Sequence, residues 1–246
     1  MKRSRTQADQ VAEVMRALGG YATLAELYQK IPVQQWGTKT PFATIRRILQ
    51  TDRQQRFFRI RPGLWGLTDR QDEILRQLGI GAQEPPETVI EFNHAYYQGL
   101  ALQIGQLRNH LVFAPKSDWK KPFLKGTLRD LITVDDVPPF TYEELCNRAR
   151  TVDVVWFQQR PAGLFPYAFF EIEHTTDFQN SLLKFADFQD FRIRFFVVAS
   201  VAREPEFRKR IRAVAFDGIR DWVKFVDYET LGRLYEREVY AQKAGI

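Results

Sequence analysis

Apolar residues recur at helical spacing near the start of the chain, where Val11, Val14, Met15 and Leu18 share one face of a helix predicted over 7–18. Gly19-Gly20 stops it, because two successive glycines give up too much backbone freedom to extend a helix. Thr23-Leu24-Ala25-Glu26 has the spacing of a capping box, in which the threonine hydroxyl and the glutamate carboxylate satisfy backbone N–H groups reciprocally. A second short helix is therefore predicted through about Ile31. A third follows Thr40-Pro41, since proline at the first helical position sacrifices no hydrogen bond. Its apolar face carries Phe42, Ile45, Ile48 and Leu49, and its other face Thr44, Arg46, Arg47 and Gln50. Phe57-Phe58-Arg59-Ile60-Arg61 and Leu64-Trp65-Gly66-Leu67 flank Pro62-Gly63, which predicts a β-hairpin.

A short helix is expected around 72–78, and the segment 79–86 then holds two glycines and two prolines without periodicity, the signature of a linker. Beyond it the pattern alternates. A helix over 93–108 presents Tyr97, Leu100, Ala101, Ile104 and Leu107 on a broad apolar face, and a short strand follows at 111–114. Residues 115–141 are irregular, with Lys116, Lys120, Lys121 and Lys125 set among Trp119 and Phe123. Helices are read at 141–150, 178–191 and 205–212, and strands at 152–157, 168–173 and 195–200. The expected fold class is α/β (α+β) in two domains, the second a mixed sheet flanked by helices. The boundaries fall at 1–70 for the first domain, 71–88 for a helix and linker, and 89–246 for the second.

Charge sharpens this picture. Residues 1–70 hold 13 Lys/Arg and 5 Asp/Glu, a balance of +8, whereas the whole chain is +6, so the remainder carries −2. A basic segment attached to a nearly neutral one suits a polyanion-binding module beside a second function. Three helices followed by a hairpin is the order of a winged helix-turn-helix. In that arrangement Lys39, Thr40, Thr44, Arg46 and Arg47 would enter the major groove of double-stranded DNA, and Arg59 and Arg61 on the wing would reach the backbone or minor groove. With 44% hydrophobic and 27% charged residues the composition is that of a globular chain, and no apolar run approaches the roughly 20 residues that cross a bilayer. The opening MKRSRTQADQ lacks the apolar stretch of a secretory signal, and Cys146 alone excludes an intrachain disulfide and a cysteine-rich zinc site. A cytoplasmic location with no membrane partner is the expectation.

The candidate chemistry lies in two apolar strands interrupted only by acids. Asp153 sits within Val152-Asp153-Val154-Val155-Trp156-Phe157, where a carboxylate loses solvation and needs a partner or a bound cation. In Phe169-Phe170-Glu171-Ile172-Glu173 the two glutamates share one strand face, with α-carbons about 7 Å apart. Two such anions repel unless something positive lies between them, and a hard divalent ion such as Mg²⁺ resolves the conflict, with Mn²⁺ as a substitute. Asp153 on the neighbouring strand would complete the cluster. Three scattered histidines make no zinc site, and the chain has neither a nucleophile elbow nor a dinucleotide-binding glycine fingerprint.

These strands, continued by His174-Thr175-Thr176, resemble the active-site hairpin of the PD-(D/E)XK nuclease superfamily. The resemblance matches Asp153 to the first acid and Glu171 to the second, and it places Glu173 where the family has Lys. It implies a core of helix–strand–strand–strand–helix–strand, the order read over 93–200. It also implies a Mg²⁺-dependent DNA endonuclease, restriction-like or defence-associated, with Asp153, Glu171 and the Ile172 carbonyl holding metal and Glu173 orienting or deprotonating water. Lys184 on the following helix would supply the missing cation, and His94 and Gln98 lie on the helix where this fold often adds a polar group. Domains of this kind often dimerise to cut both strands, so a homodimer is expected by resemblance. The N-terminal part is similar to the HARE-HTH winged-helix domain in Gly37-Thr38-Lys39-Thr40-Pro41, Phe57-Phe58-Arg59-Ile60 and Pro62-Gly63-Leu64-Trp65-Gly66-Leu67. The competing expectation, kept open by Glu173, is a nuclease fold that has lost catalysis and acts as a DNA-binding regulator or defence sensor.

Overall fold

Thr6 caps the first helix, its hydroxyl accepting from the Asp9 N–H while the Asp9 carboxylate accepts from the Thr6 N–H. The computed structural model describes residues 6–245; Lys2, Arg3 and Arg5, which contribute to the basic excess, and the opening residues read for a signal lie outside that range. The described residues pack as two units, one formed by the chain up to Pro85 with the residues from Glu236 onward, the other by Pro86–Tyr235.

In the first unit, helix α1 (Gln7–Ala17) buries Val11, Ala12 and Met15. Strand β1 (Tyr21–Thr23) follows, and α2 (Leu24–Lys30) starts from the Thr23–Glu26 capping box. Helix α3 (Pro41–Thr51) has proline in its first turn. Strands β2 (Phe57–Arg61) and β3 (Leu64–Leu67) form the hairpin, and the three strands align antiparallel in the order β1-β3-β2. Strand β1 is too short for its period to show in the sequence, and its pairing with β3 is what defines it. On α3 the burial differs from the pattern read above. Thr44 is buried with Ile45 and Leu49, its hydroxyl donating to the Thr40 carbonyl at 3.0 Å, so this threonine satisfies its polar atom within the helix and packs inward. Helix α4 (Gln71–Gln77) completes the segment before Pro85.

The second unit begins with α5 (Pro86–Leu107), seven residues earlier than the helix read at 93. Pro86 opens its first turn and Glu87 follows, a start that suits the helix dipole but that reads as linker when the prolines are counted as breakers. Next come β4 (Leu111–Phe113), the small hairpin of β5 (Pro122–Phe123) and β6 (Gly126–Thr127), and α6 (Glu143–Ala149). Then follow β7 (Val154–Arg160), β8 (Gly163–Glu173), α7 (Phe178–Ala186), β9 (Arg194–Ala199), α8 (Glu204–Arg210), β10 (Val223–Asp227) and α9 (Tyr228–Ala244). The five-stranded sheet has the order β10-β9-β8-β7-β4; β4, β7 and β8 pair antiparallel, and β8, β9 and β10 pair parallel.

Both faces of this sheet are covered, which is why its strands read as nearly continuous apolar runs. Helix α5 lies close on one face. A Cβ at Gly105 would stand 2.6 Å from both the Trp156 indole nitrogen and Val112, so only glycine allows that approach, and Trp156 Nε1 donates to the Ala101 carbonyl at 3.0 Å. On the other face α7 contributes Phe178, Leu182 and Phe185 to a core with Phe169, Phe188 and Phe195. That packing fixes α7 against the end of β8, where the acids lie.

Candidate active site

Asp153 lies in the bend just before β7, not within the strand, so its carboxylate stands at the sheet's edge of regularity while its neighbours Val152 and Val154 are buried. Because Val154 pairs with Phe170, Asp153 falls opposite Glu171, and its Oδ2 accepts from the Ile172 N–H at 2.7 Å. The Nε2 of His94, on α5, is 3.4 Å from the same oxygen. Glu171 and Glu173 share a face of β8, and both are buried, at 3% and 5% exposure, so that face is not solvated. From α7, Lys184 Nζ lies 2.9 Å from each Glu171 oxygen and donates to the Thr151 carbonyl at 2.8 Å. Ser181, one turn earlier on the same helix face, donates to Glu173 and to Glu171 Oε2, the latter at 3.3 Å. Thr176 donates to Glu173 as well.

These groups line one cleft of about 290 Å³, into which Asn180 and His174 also project. Among the described residues, no three His, Cys, Asp or Glu side chains are gathered as a metal cage.

A family model for the type II restriction enzyme NmeDI C-terminal domain matches residues 82–243. The chain belongs to that family. The match covers well over half of the chain, takes in the whole cleft, and points to a restriction-type nuclease acting on DNA. No curated protein and no solved structure matches the chain significantly.

The electrostatics of this restriction-enzyme domain divide its acids. Burial works to raise the Asp153 carboxyl, but the hydrogen bond and charge of His94, the Ile172 N–H and Lys184 outweigh it and hold Asp153 below the usual carboxylate range. Burial and the nearby Asp153 charge push Glu171 up to about 8 against the pull of Lys184. Glu173 is raised by burial, with the Ser181 and Thr176 hydroxyls opposing the shift. Two neighbouring carboxyls are thus driven apart.

His174 is pushed down to about 4, first by burial and then by the proximity of His94. Its Nδ1 is 2.6 Å from the Tyr228 hydroxyl, and Tyr228 stacks on Tyr97 at 3.9 Å, so the ring closes the strand end. A histidine whose folded pKa lies below its ordinary value of 6.5 contributes stability above pH 6.5 that is lost as pH falls towards 4. Chemical denaturation at pH 7 and pH 4.5 should therefore show a larger loss in the unmodified protein than in His174→Gln. The difference is expected at about 1 kcal/mol, discounted for the exposed part of the ring.

The sequence had singled out Asp153, Glu171, Glu173 and Lys184, and the structure brings them together. His94 stood out only by position, and its role at Asp153 emerges from the packing of α5. Ser181 went unnoticed, although its three-residue spacing from Lys184 carried a signal, and Thr176 was named only as part of the hairpin motif, without its contact to Glu173. Gln98 is fully buried and donates to the Asp153 carbonyl at 2.8 Å and to Asp118 Oδ2 at 2.9 Å, tying the strand start to the loop after β4.

Of the residues expected to meet DNA in the first unit, Lys39, Thr40, Arg47 and Arg59 are exposed. Arg46 is half-buried with Nε 3.6 Å from Glu236, and Arg61 is half-buried with NH1 donating to the Ile60 carbonyl at 2.8 Å. Thr44, as described, is turned inward.

Proposed function

We propose that this chain is a Mg²⁺-dependent DNA endonuclease of the PD-(D/E)XK type, delivered to double-stranded DNA by an N-terminal winged helix. The observation that carries the reading is Lys184 held on both oxygens of buried Glu171, opposite Asp153 at the open end of β7 and β8. This is the acid–acid–lysine set of such a site, with the lysine supplied by α7 and Glu173 in its place on the strand. The order α5-β4-β7-β8-α7-β9 follows the core expected of the superfamily. In the first unit the order α1-β1-α2-α3-β2-β3, with β3 between its partners, supports the winged helix.

The donor set suits a hard divalent ion: Asp153, Glu171 and the Ile172 carbonyl offer oxygen only, and few enough donors to leave room for the waters that Mg²⁺ retains. Such an ion, or Mn²⁺ in its stead, would polarise a phosphoryl oxygen and make water a competent nucleophile at neutral pH. The chain's own residues do the rest. Lys184, an ammonium fixed in a partly dry cleft, neutralises charge that develops on the phosphate. Glu173, raised by burial and steadied by two hydroxyls, accepts a proton from the attacking water more readily than an exposed carboxylate does. His94 and the Ile172 N–H hold Asp153 ionised and oriented.

The test is incubation of the full chain with unmodified and base-modified plasmid in Mg²⁺, in Mn²⁺ and with a chelator. Cleavage that the chelator stops is the expected result. Binding without cleavage of every DNA and metal tried would instead mark a non-cleaving DNA binder and remove the enzymatic reading.

A further inference from the structure

Two clefts meet at Asp153 and His94, and Glu171 and Glu173 line only one of them. The second, about 450 Å³, is walled by Lys116, Asp118 and Lys121 from the loop after β4 and by Arg150 and Thr151 after α6. The nuclease chemistry above makes no use of it, yet three of its side chains are cationic against two carboxylates, Asp118 and Asp153. Lys121 is spoken for in part, its Nζ 2.7 Å from Asp118 Oδ1, and Arg150 is tied to Asp136 at 2.8 Å. Lys116 is different. It is exposed, lies 5.9 Å from the Trp119 ring centroid, and closes no ion pair among the described residues.

The floor of this cleft is joined to the acids. Asp118 is buried, accepts from Gln98, and Gln98 in turn holds the backbone carbonyl of Asp153. A small anion would need one site, whereas a nucleic-acid strand carries a negative charge at every nucleotide and occupies adjoining sites in succession. We propose that the second cleft binds a backbone phosphate of the DNA strand being cut, adjacent to the phosphodiester at Asp153 and Glu171, with Lys116 as the principal contact. The inference rests on the nuclease reading and deepens it by fixing the path of the substrate strand. With Lys121 and Arg150 paired to Asp118 and Asp136, Lys116 is the side chain of the lining that meets the phosphate, as a compact, mobile point charge.

The test uses the full chain carrying Glu171→Gln, so that DNA survives the measurement, with duplex binding followed by fluorescence anisotropy across a range of salt. Adding Lys116→Gln should weaken binding several-fold and lower the slope of log K against log salt by about 0.9, the release of one counterion. Lys116→Arg should restore the slope. Lys209→Gln on α8, an exposed lysine outside the cleft, is the control for loss of charge alone. Equal effects of Lys116→Gln and Lys209→Gln, with duplex binding otherwise intact, would overturn the phosphate site while leaving the nuclease reading standing. So would a Lys116-dependent affinity for inorganic phosphate with unchanged duplex binding, which marks a small-anion pocket. Failure of the parent protein to bind any duplex would remove both readings together.

Discussion

Asp153→Ala should reduce DNA cleavage by about 10³-fold or more while the protein remains folded. The carboxylate is the one acid of the cleft that its surroundings hold ionised, through His94, the Ile172 N–H and Lys184. Losing it removes a charge that would position a divalent ion, and electrostatic stabilisation of that kind is worth several kcal/mol, each 1.36 kcal/mol being tenfold in rate. Asp153→Asn tests charge against shape, since the amide keeps the volume and an acceptor for the Ile172 N–H; it should lose nearly as much activity. Lys184→Met should cost about 10²–10³-fold, the usual toll of removing one preorganised charge-stabilising donor. It also leaves Glu171 without its only cationic partner within hydrogen-bonding reach among the described residues. Single-turnover cleavage, with circular dichroism to confirm folding, measures all three. Retention of more than a tenth of the activity in Asp153→Ala would place the chemistry elsewhere.

Phe185→Ala should destabilise the nuclease unit by about 3–5 kcal/mol, the range for a buried phenylalanine replaced by alanine. The ring is fully buried, stacked at 4.8 Å on Phe195 of β9, and neighbours Lys184 on α7. Its removal leaves a cavity between helix and sheet that the close-packed surroundings fill only in part. A loss of that size corresponds to a fall in Tm of about 10 °C. Because α7 carries both Ser181 and Lys184, residual cleavage at low temperature should fall further than the population of folded protein does. Calorimetry and single-turnover assays at 10 °C separate the two effects, and a Tm within 2 °C of the parent would show that the core closes around the deletion.

Local signals along the chain account for much of the architecture. Capping boxes, the Pro-Gly turn and apolar periodicity act within a few residues, so helices α1 to α3 and the hairpin of β2 and β3 were readable before any packing was known. The strands bearing the acids were readable for a similar reason: a carboxylate in an apolar run is conspicuous wherever the fold puts it. Strand β1, by contrast, has three residues and exists through its pairing with β3. The start of α5 was hidden by prolines that serve equally as breakers and as first-turn residues. Strand β10 went unread because its short, mixed-polarity run declares a strand only once β9 accepts it, and helix α9 went unread although Leu231, Tyr235 and Val239 recur at helical spacing on its buried face.

The sequence alone therefore singled out the residues proposed to carry the chemistry: Asp153, Glu171, Glu173 and, on the next helix, Lys184. Tertiary structure decided how they are used. It put Lys184 on Glu171 instead of in solvent, turned Glu173 towards Ser181 and Thr176, and brought His94 across from α5 to Asp153. It also turned Thr44 inward, away from the face that α3 was expected to offer DNA. The reason is physical. Spacing along a helix or strand sets which side chains share a face, but partners from different elements meet only when the core between them closes, and that is a property of the whole packed unit.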